Sequence, residues 1–253
     1  MFDPSAQFEL AVCPLGRRPA DEYYHQGQVW VEGREGNTYT LRFTNRTNGR
    51  VFVVFSVDGL DVLKGQPAGH LSEGYVVNAG STLDVPGWKL NNTTAAEFFF
   101  SRSDKSYVAK IGGNVNNTGV IGAMVFKEYQ QPYAFPNAFP TYSYNGQPTT
   151  GNPVPRGIYS VSANSIQASA ASASMGLNSV GTGYGNATEW NTTTTTFVKE
   201  NPTVPNAIMA VYYDSRKNLE RRGIVMKSRY NNVSNSAFPA YVTGATPPPD
   251  WKP

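Results

Sequence analysis

The stretch TYTLRFT (residues 38–44) alternates without a break: Tyr39, Leu41 and Phe43 fall on one side of an extended chain, and Thr38, Thr40, Arg42 and Thr44 on the other. Side chains on a strand repeat with a period of two, so this pattern predicts a strand with one buried and one solvated face. NRTNG (45–49) follows, and its Asn48-Gly49 pair is a strong hairpin signal. VFVVFSV (51–57) is nearly all apolar, which predicts a partner strand covered on both faces. Asp58-Gly59 closes it with a second turn. Leu41, Phe43, Val53, Phe55 and Val57 are therefore predicted in the core, with Arg42 and Thr44 outside it.

The same rhythm continues outward from this hairpin. Strands are predicted at 28–33, 61–64, 74–78, 81–85, 96–101 and 119–128, with turn signals roughly every 8–12 residues, as in a sandwich or barrel. Ser103-Asp104 predicts the cap of a short helix to Ile111, which Gly112-Gly113 ends. The predicted fold is all-β, an antiparallel β-sandwich, with a jelly-roll-like arrangement as one form of it.

From Tyr129 the character changes. Pro132, Pro136, Pro140, Pro148, Pro153 and Pro155 are interspersed with Phe135, Phe139, Tyr142 and Tyr144. No strand or helix period survives so many prolines. A disordered linker is poor in aromatics, and this stretch is rich in them. Two readings stay open: an extended arm that crosses to a neighbouring subunit, or an ordered loop lying over its own domain. Residues 160–176 are biased to Ala and Ser. Beyond them GTGYG (181–185) reads as a turn cluster, Thr192 to Val198 and 207–213 as strands, and Ile224 to Met226 as a further strand. Asp214-Ser215 predicts the cap of a helix from Arg216 to Arg222, ended by Gly223. The chain thus divides into a β-sandwich domain (1–128), an extended Pro/Tyr- and Ala/Ser-rich arm (129–179), a smaller second β-rich region with a short helix (180–240) and an extended tail (241–253).

Composition narrows the function. Charged residues make up 15% of the chain, against roughly 25% in an average soluble domain, and the net charge is +3. Asn, Thr, Ser, Gly and Tyr fill the deficit, a balance commoner in assembled proteins than in cytosolic enzymes. Arg216, Lys217, Arg221 and Arg222 form the densest basic cluster, and with Glu220 among them they read as a solvated helix face, not a nucleic-acid patch. The single cysteine, Cys13, excludes an intrachain disulfide and reads as a small buried apolar residue. No apolar run reaches the roughly 18 residues of a membrane span, and Met1-Phe2-Asp3-Pro4 has no secretory-signal character.

No catalytic, cofactor-binding or metal-binding residues are predicted. His25 and His70 lack Cys or carboxylate partners at ligand spacing. The glycines of 181–185 lack the Lys-Ser/Thr of a phosphate loop and the context of a dinucleotide loop. Asp58, Asp61 and Asp84 read as separate turn or strand residues. An enzyme on this scaffold would need a carboxylate pair or a metal trio converging in a pocket. Surface chemistry remains. Trp30 and Trp88 are predicted in the sandwich core; Trp190 and Trp251, with Phe135, Phe139, Tyr142 and Tyr144, are the predicted interface residues.

In this order, VEGREG (31–36), NRTNG (45–49), SVDGLDVL (56–63), GYVV (74–77), GW (87–88) and GVIGAMVF (119–126) resemble a family of uncharacterised proteins in bacteria and tailed bacteriophages. The stretches 181–185, 212–215 and 218–223 are similar to the same family's second half. The resemblance brings no active site, but it implies a virion component. The expectation is a bacteriophage structural protein made in the host cytoplasm and located in the virion, of the capsid decoration, cement or head-associated kind. Its expected partners are other virion proteins, the major capsid protein or neighbouring copies in a homo-oligomer, with no nucleic acid and no membrane. The alternative is a carbohydrate- or surface-binding β-sandwich module of a tail fibre or host protein.

Overall fold

In the computed structural model, which describes residues 1–130 and 179–226, the 38–57 hairpin is split between two sheets. The chain runs through β1 (Phe8–Pro14), β2 (Glu22–His25), β3 (Gln28–Glu32), β4 (Thr38–Asn45), β5 (Val51–Val57), β6 (Leu60–Asp61) and β7 (Tyr75–Val77). It continues through β8 (Thr82–Val85), β9 (Gly87–Lys89), β10 (Thr94–Arg102), a short helix α1 (Tyr107–Lys110) and β11 (Val120–Lys127). After residue 178 come β12 (Val180–Glu189), β13 (Ala207–Asp214) and α2 (Arg216–Arg221). The first sheet has the order β1-β4-β10-β12, with β8 on β4 and β9 on β10. The second has the order β2-β3-β13-β11-β5-β6, with β7 on β5. All pairs are antiparallel except β3 with β13.

The alternation in β4 does what its pattern requires. Tyr39, Leu41 and Phe43 are buried, and Thr38, Thr40, Arg42 and Thr44 are only partly covered. Arg42 is held on the outer face by Asp84 of β8, with two nitrogen–oxygen contacts of 2.8 Å. Opposite, Val53, Phe55 and Val57 of β5 close the core, and Val54, facing out, is buried as well. The predicted all-β sandwich is therefore the fold.

Two boundaries need correction. The strands of 180–214 do not make a second region: β12 extends the first sheet beside β10, and β13 lies between β3 and β11 in the second. The inward residues of β13 (Met209, Val211 and Tyr213) belong to the same core as Phe43. Residues 128–179 separate β13 from β11 in sequence but not in the second sheet, where the two strands pair. The stretch 181–185 is strand, not turn. Its glycines make room for neighbours: a Cβ on Gly183 would sit 2.2 Å from the Phe99 ring of the paired β10, one on Gly185 2.7 Å from the Glu97 carbonyl oxygen, and one on Gly181 2.7 Å from Ser106. Thr182 points into the core.

Other differences are local. Thr192 to Val198 forms no strand; Thr192 N–H reaches the Asn92 carbonyl at 2.7 Å, and no ladder continues past it. Threonine's strand preference needs a neighbouring strand to pack on. Ile224 to Met226 is the exit from α2, not a strand. Gly223 takes φ +85° and the Ile224 amide donates to the Leu219 carbonyl, a left-handed helix stop. The helix near residue 107 is capped by Ser106, whose hydroxyl accepts from the Ala109 amide, while Ser103–Lys105 forms a separate 3-10 turn. Trp88 is in the core as expected. Trp30 is buried too, but on the outer side of the second sheet, under Leu219, Ile224 and the Arg222 guanidinium. Three of the four residues in this basic cluster are engaged: Arg222 there, Arg216 on Glu32 and Glu220, and Arg221 on the Asn218 side chain. Cys13 is buried.

Gly87 supplies a test of the β9–β10 seating. A Cβ there would lie 1.9 Å from the Ala96 carbonyl oxygen, a backbone atom held in a ladder. Gly87→Ala should destabilise by about 1–3 kcal/mol through forced backbone movement. An unchanged urea midpoint would mean that β9 does not pack on β10 as described.

Candidate interaction surface

Asp58 is the most perturbed carboxylate among the described residues, so it is the first place to look for chemistry. It sits at φ +52° in the turn after β5 and is buried. Its Oδ1 accepts from the Gly119 amide at 2.9 Å and the Tyr213 hydroxyl at 2.6 Å, and its Oδ2 from the Thr182 amide at 2.7 Å. The Thr182 hydroxyl lies 2.6 Å from both Tyr213 and Tyr39 hydroxyls. One proton arrangement satisfies every group: Tyr39 donates to Thr182, Thr182 to Tyr213, and Tyr213 to the carboxylate. Burial pushes Asp58 up to about 6 against these hydrogen bonds. Burial, and then the neighbouring carboxylate, holds both phenols well above their ordinary range. The cluster ties β4, β12 and β13 to the turn after β5 and the entry to β11, and solvent does not reach it. Its role is to lock the two sheets together around a polar knot. Among the described residues no group of three His, Cys, Asp or Glu is placed to hold a metal.

The exposed surface offers more. A strap, 197–200, crosses the outer side of the second sheet. Phe197 lies on Phe52 with ring centroids 5.7 Å apart, and the Lys199 ammonium stands 4.0 Å from the centre of the Phe126 ring. Partial burial lowers Lys199 below the ordinary lysine range. Its ammonium also donates to the His70 carbonyl at 2.8 Å, which brings the 69–72 loop alongside. The Tyr129 amide donates to Val198, Glu200 to Lys127, and Asn206 to Val125.

Five exposed apolar side chains lie on the strap, the segments bonded to it or the outward face of β13: Leu71, Tyr129, Val198, Val204 and Ile208. Leu71 is 85% exposed and Ile208, on the outward face of β13, 58%. Single exposed apolar residues are ordinary on a protein surface, and several on neighbouring segments make a candidate interaction face. Tyr129 lies where the chain leaves β11 toward the Pro/Tyr-rich stretch.

Of the interface residues predicted from sequence, only Trp190 is among the described ones. It is half-buried, packs edge-on to Tyr75 at 5.2 Å, and rests against the core. It plugs the flank of the sandwich and is not a free anchor. Phe135, Phe139, Tyr142, Tyr144 and Trp251 lie outside the described residues. Sequence reading missed Leu71, Val198, Val204 and Ile208 because none belongs to an aromatic cluster, and their exposure is visible only in the fold. Comparison with known proteins finds no matching family model, no matching curated protein and no matching solved structure.

Proposed function

We propose that this protein is a structural component of a bacteriophage particle, of the capsid decoration, cement or head-associated kind, which works by docking and not by catalysis. The observation that carries the reading is the number of exposed apolar side chains, Ile208 among them, on the strap, the segments bonded to it and the outward face of β13. Such side chains give a sandwich a contact face, and a linked arm would add affinity by raising effective concentration. The low charge and the motif resemblance to phage proteins support the same reading. Partners would be the major capsid protein or neighbouring copies.

The test is direct. Purified particles should contain the protein at a copy number that matches capsid symmetry. Ile208→Asp should fold with a stability change within about 1 kcal/mol, as for a surface position, yet lose incorporation into particles. A folded variant that still incorporates at the parental level would remove this face from the mechanism. Absence of the parental protein from particles would end the virion reading.

A further inference from the structure

A second feature lies at the end of the sandwich where β1 stops. A cleft of about 330 Å³ opens between the turn that follows β1 and the β3–β4 connection, with the buried Phe100 at its base. Arg17, Arg18 and Arg34 line it, with Asp21, Tyr23 and Glu32. Glu32 is already engaged by Arg34 at 3.0 Å and Arg216 at 3.6 Å. Among the described residues neither Arg17 nor Arg18 has an acidic partner. With Asp21 counted in full, the three guanidiniums of the lining (Arg17, Arg18, Arg34) face two carboxylates (Asp21, Glu32), an excess of one positive charge; Arg216, outside the lining, is also held by Glu220 at 2.9 Å.

The turn that presents the two arginines is fixed by its backbone. Leu15 and Gly16 take φ +56° and +63°. The Leu15 amide donates to Thr38 at 2.8 Å, Arg17 to Pro14 at 3.2 Å, and Ala20 to Val12 at 2.7 Å. The left-handed Leu15 is an uncommon conformation for a residue with a side chain. The arginines therefore start from a set backbone, which lowers the ordering cost of closing on a ligand.

From this arrangement we infer that the cleft binds a small organic anion, a phosphate or carboxylate group carried on a sugar-sized body. Guanidinium forks suit both oxyanions, because paired N–H donors match two oxygens. The volume falls at the small end of ligand pockets. Tyr23, itself packed against the Trp30 cluster, lines the cleft beside the charges. This site is separate from the Ile208 surface, so it stands or falls independently of assembly.

The probes are glucose 6-phosphate, glucuronate and neutral glucose, titrated calorimetrically into the full chain at low ionic strength. One or both anions should bind saturably, more weakly as salt is added, and glucose should not bind. The two charged probes separate phosphate from carboxylate recognition. Arg17→Ala/Arg18→Ala should weaken binding at least about tenfold, the loss of charge-assisted hydrogen bonds. Arg46→Ala, outside the cleft, should leave it unchanged. Both arginines are exposed, so the double variant should keep the parental melting temperature. No saturation by either anion up to about 10 mM, in the range of the weakest specific affinities, would overturn the inference. So would equal binding by the double variant or by glucose.

Discussion

Phe43→Ala is expected to lower the unfolding free energy by about 3–5 kcal/mol, the usual range for removing a fully buried aromatic ring. Phe43 has no exposed surface. On β4 it lies opposite Leu10 of β1 on one side and Leu83 of β8 on the other. Its ring is near-parallel to Phe8 at 6.0 Å and meets Phe55 of the facing sheet edge-on at 5.8 Å. It therefore bridges both layers of the sandwich. Alanine would remove the ring–ring contacts and leave a void that neighbours held in two ladders can fill only in part. Urea unfolding should show a lower midpoint at unchanged slope, since the surface exposed on unfolding is nearly the same. A loss below about 1 kcal/mol, typical of a surface change, would mean that β4 presents its other face.

That face was readable from residues 38–44 alone, because a half-buried strand writes its burial into alternate positions. The apolar runs 51–57 and 207–213 were readable for a related reason: strands with little solvent contact need no polar residues. What was hidden depends on partners far along the chain. Residues 181–185 look like a turn because glycine usually marks one. Here glycine makes room for Phe99, a neighbour across β10 that no local window contains. The placement of β13 beside β3 depends on a parallel pairing, which leaves no turn signature. Asp58-Gly59 was correctly a turn, with φ +52° and +82°. Nothing near it announces that its carboxylate receives an amide 124 residues further on. Nothing in the sequence singles out Arg17 and Arg18; only the fold puts them in one cleft lining with Arg34.

The Asp58 cluster makes a prediction in which pH decides between two opposing effects. Burial favours the neutral acid, and three donated hydrogen bonds favour the carboxylate. Burial wins, placing the folded-state value at about 6, above the roughly 3.9 of an unfolded aspartate. A group raised on folding binds its proton more tightly in the native state. Its contribution is fully present below about pH 4 and is lost as pH rises through about 6. A rise of that size is worth about 3 kcal/mol. Asp58→Asn isolates this contribution. Asparagine tolerates the left-handed backbone and nearly matches the shape, but it does not titrate. Its amide nitrogen must face either the Thr182 or the Gly119 amide, so one buried N–H loses its acceptor, at a cost of about 1–3 kcal/mol. The stability advantage of the parent over Asp58→Asn should therefore be largest at pH 4 and below, and shrink by about 2 kcal/mol between pH 4 and pH 7. Every other titrating group is common to both proteins and cancels in the difference. Urea midpoints at pH 4, 5, 6 and 7 read this out. A difference that stayed flat would mean that the carboxyl titrates alike in the folded and unfolded chain. One that grew toward neutral pH would mean that the Gly119, Thr182 and Tyr213 donors outweigh desolvation and that the cluster is built for a carboxylate.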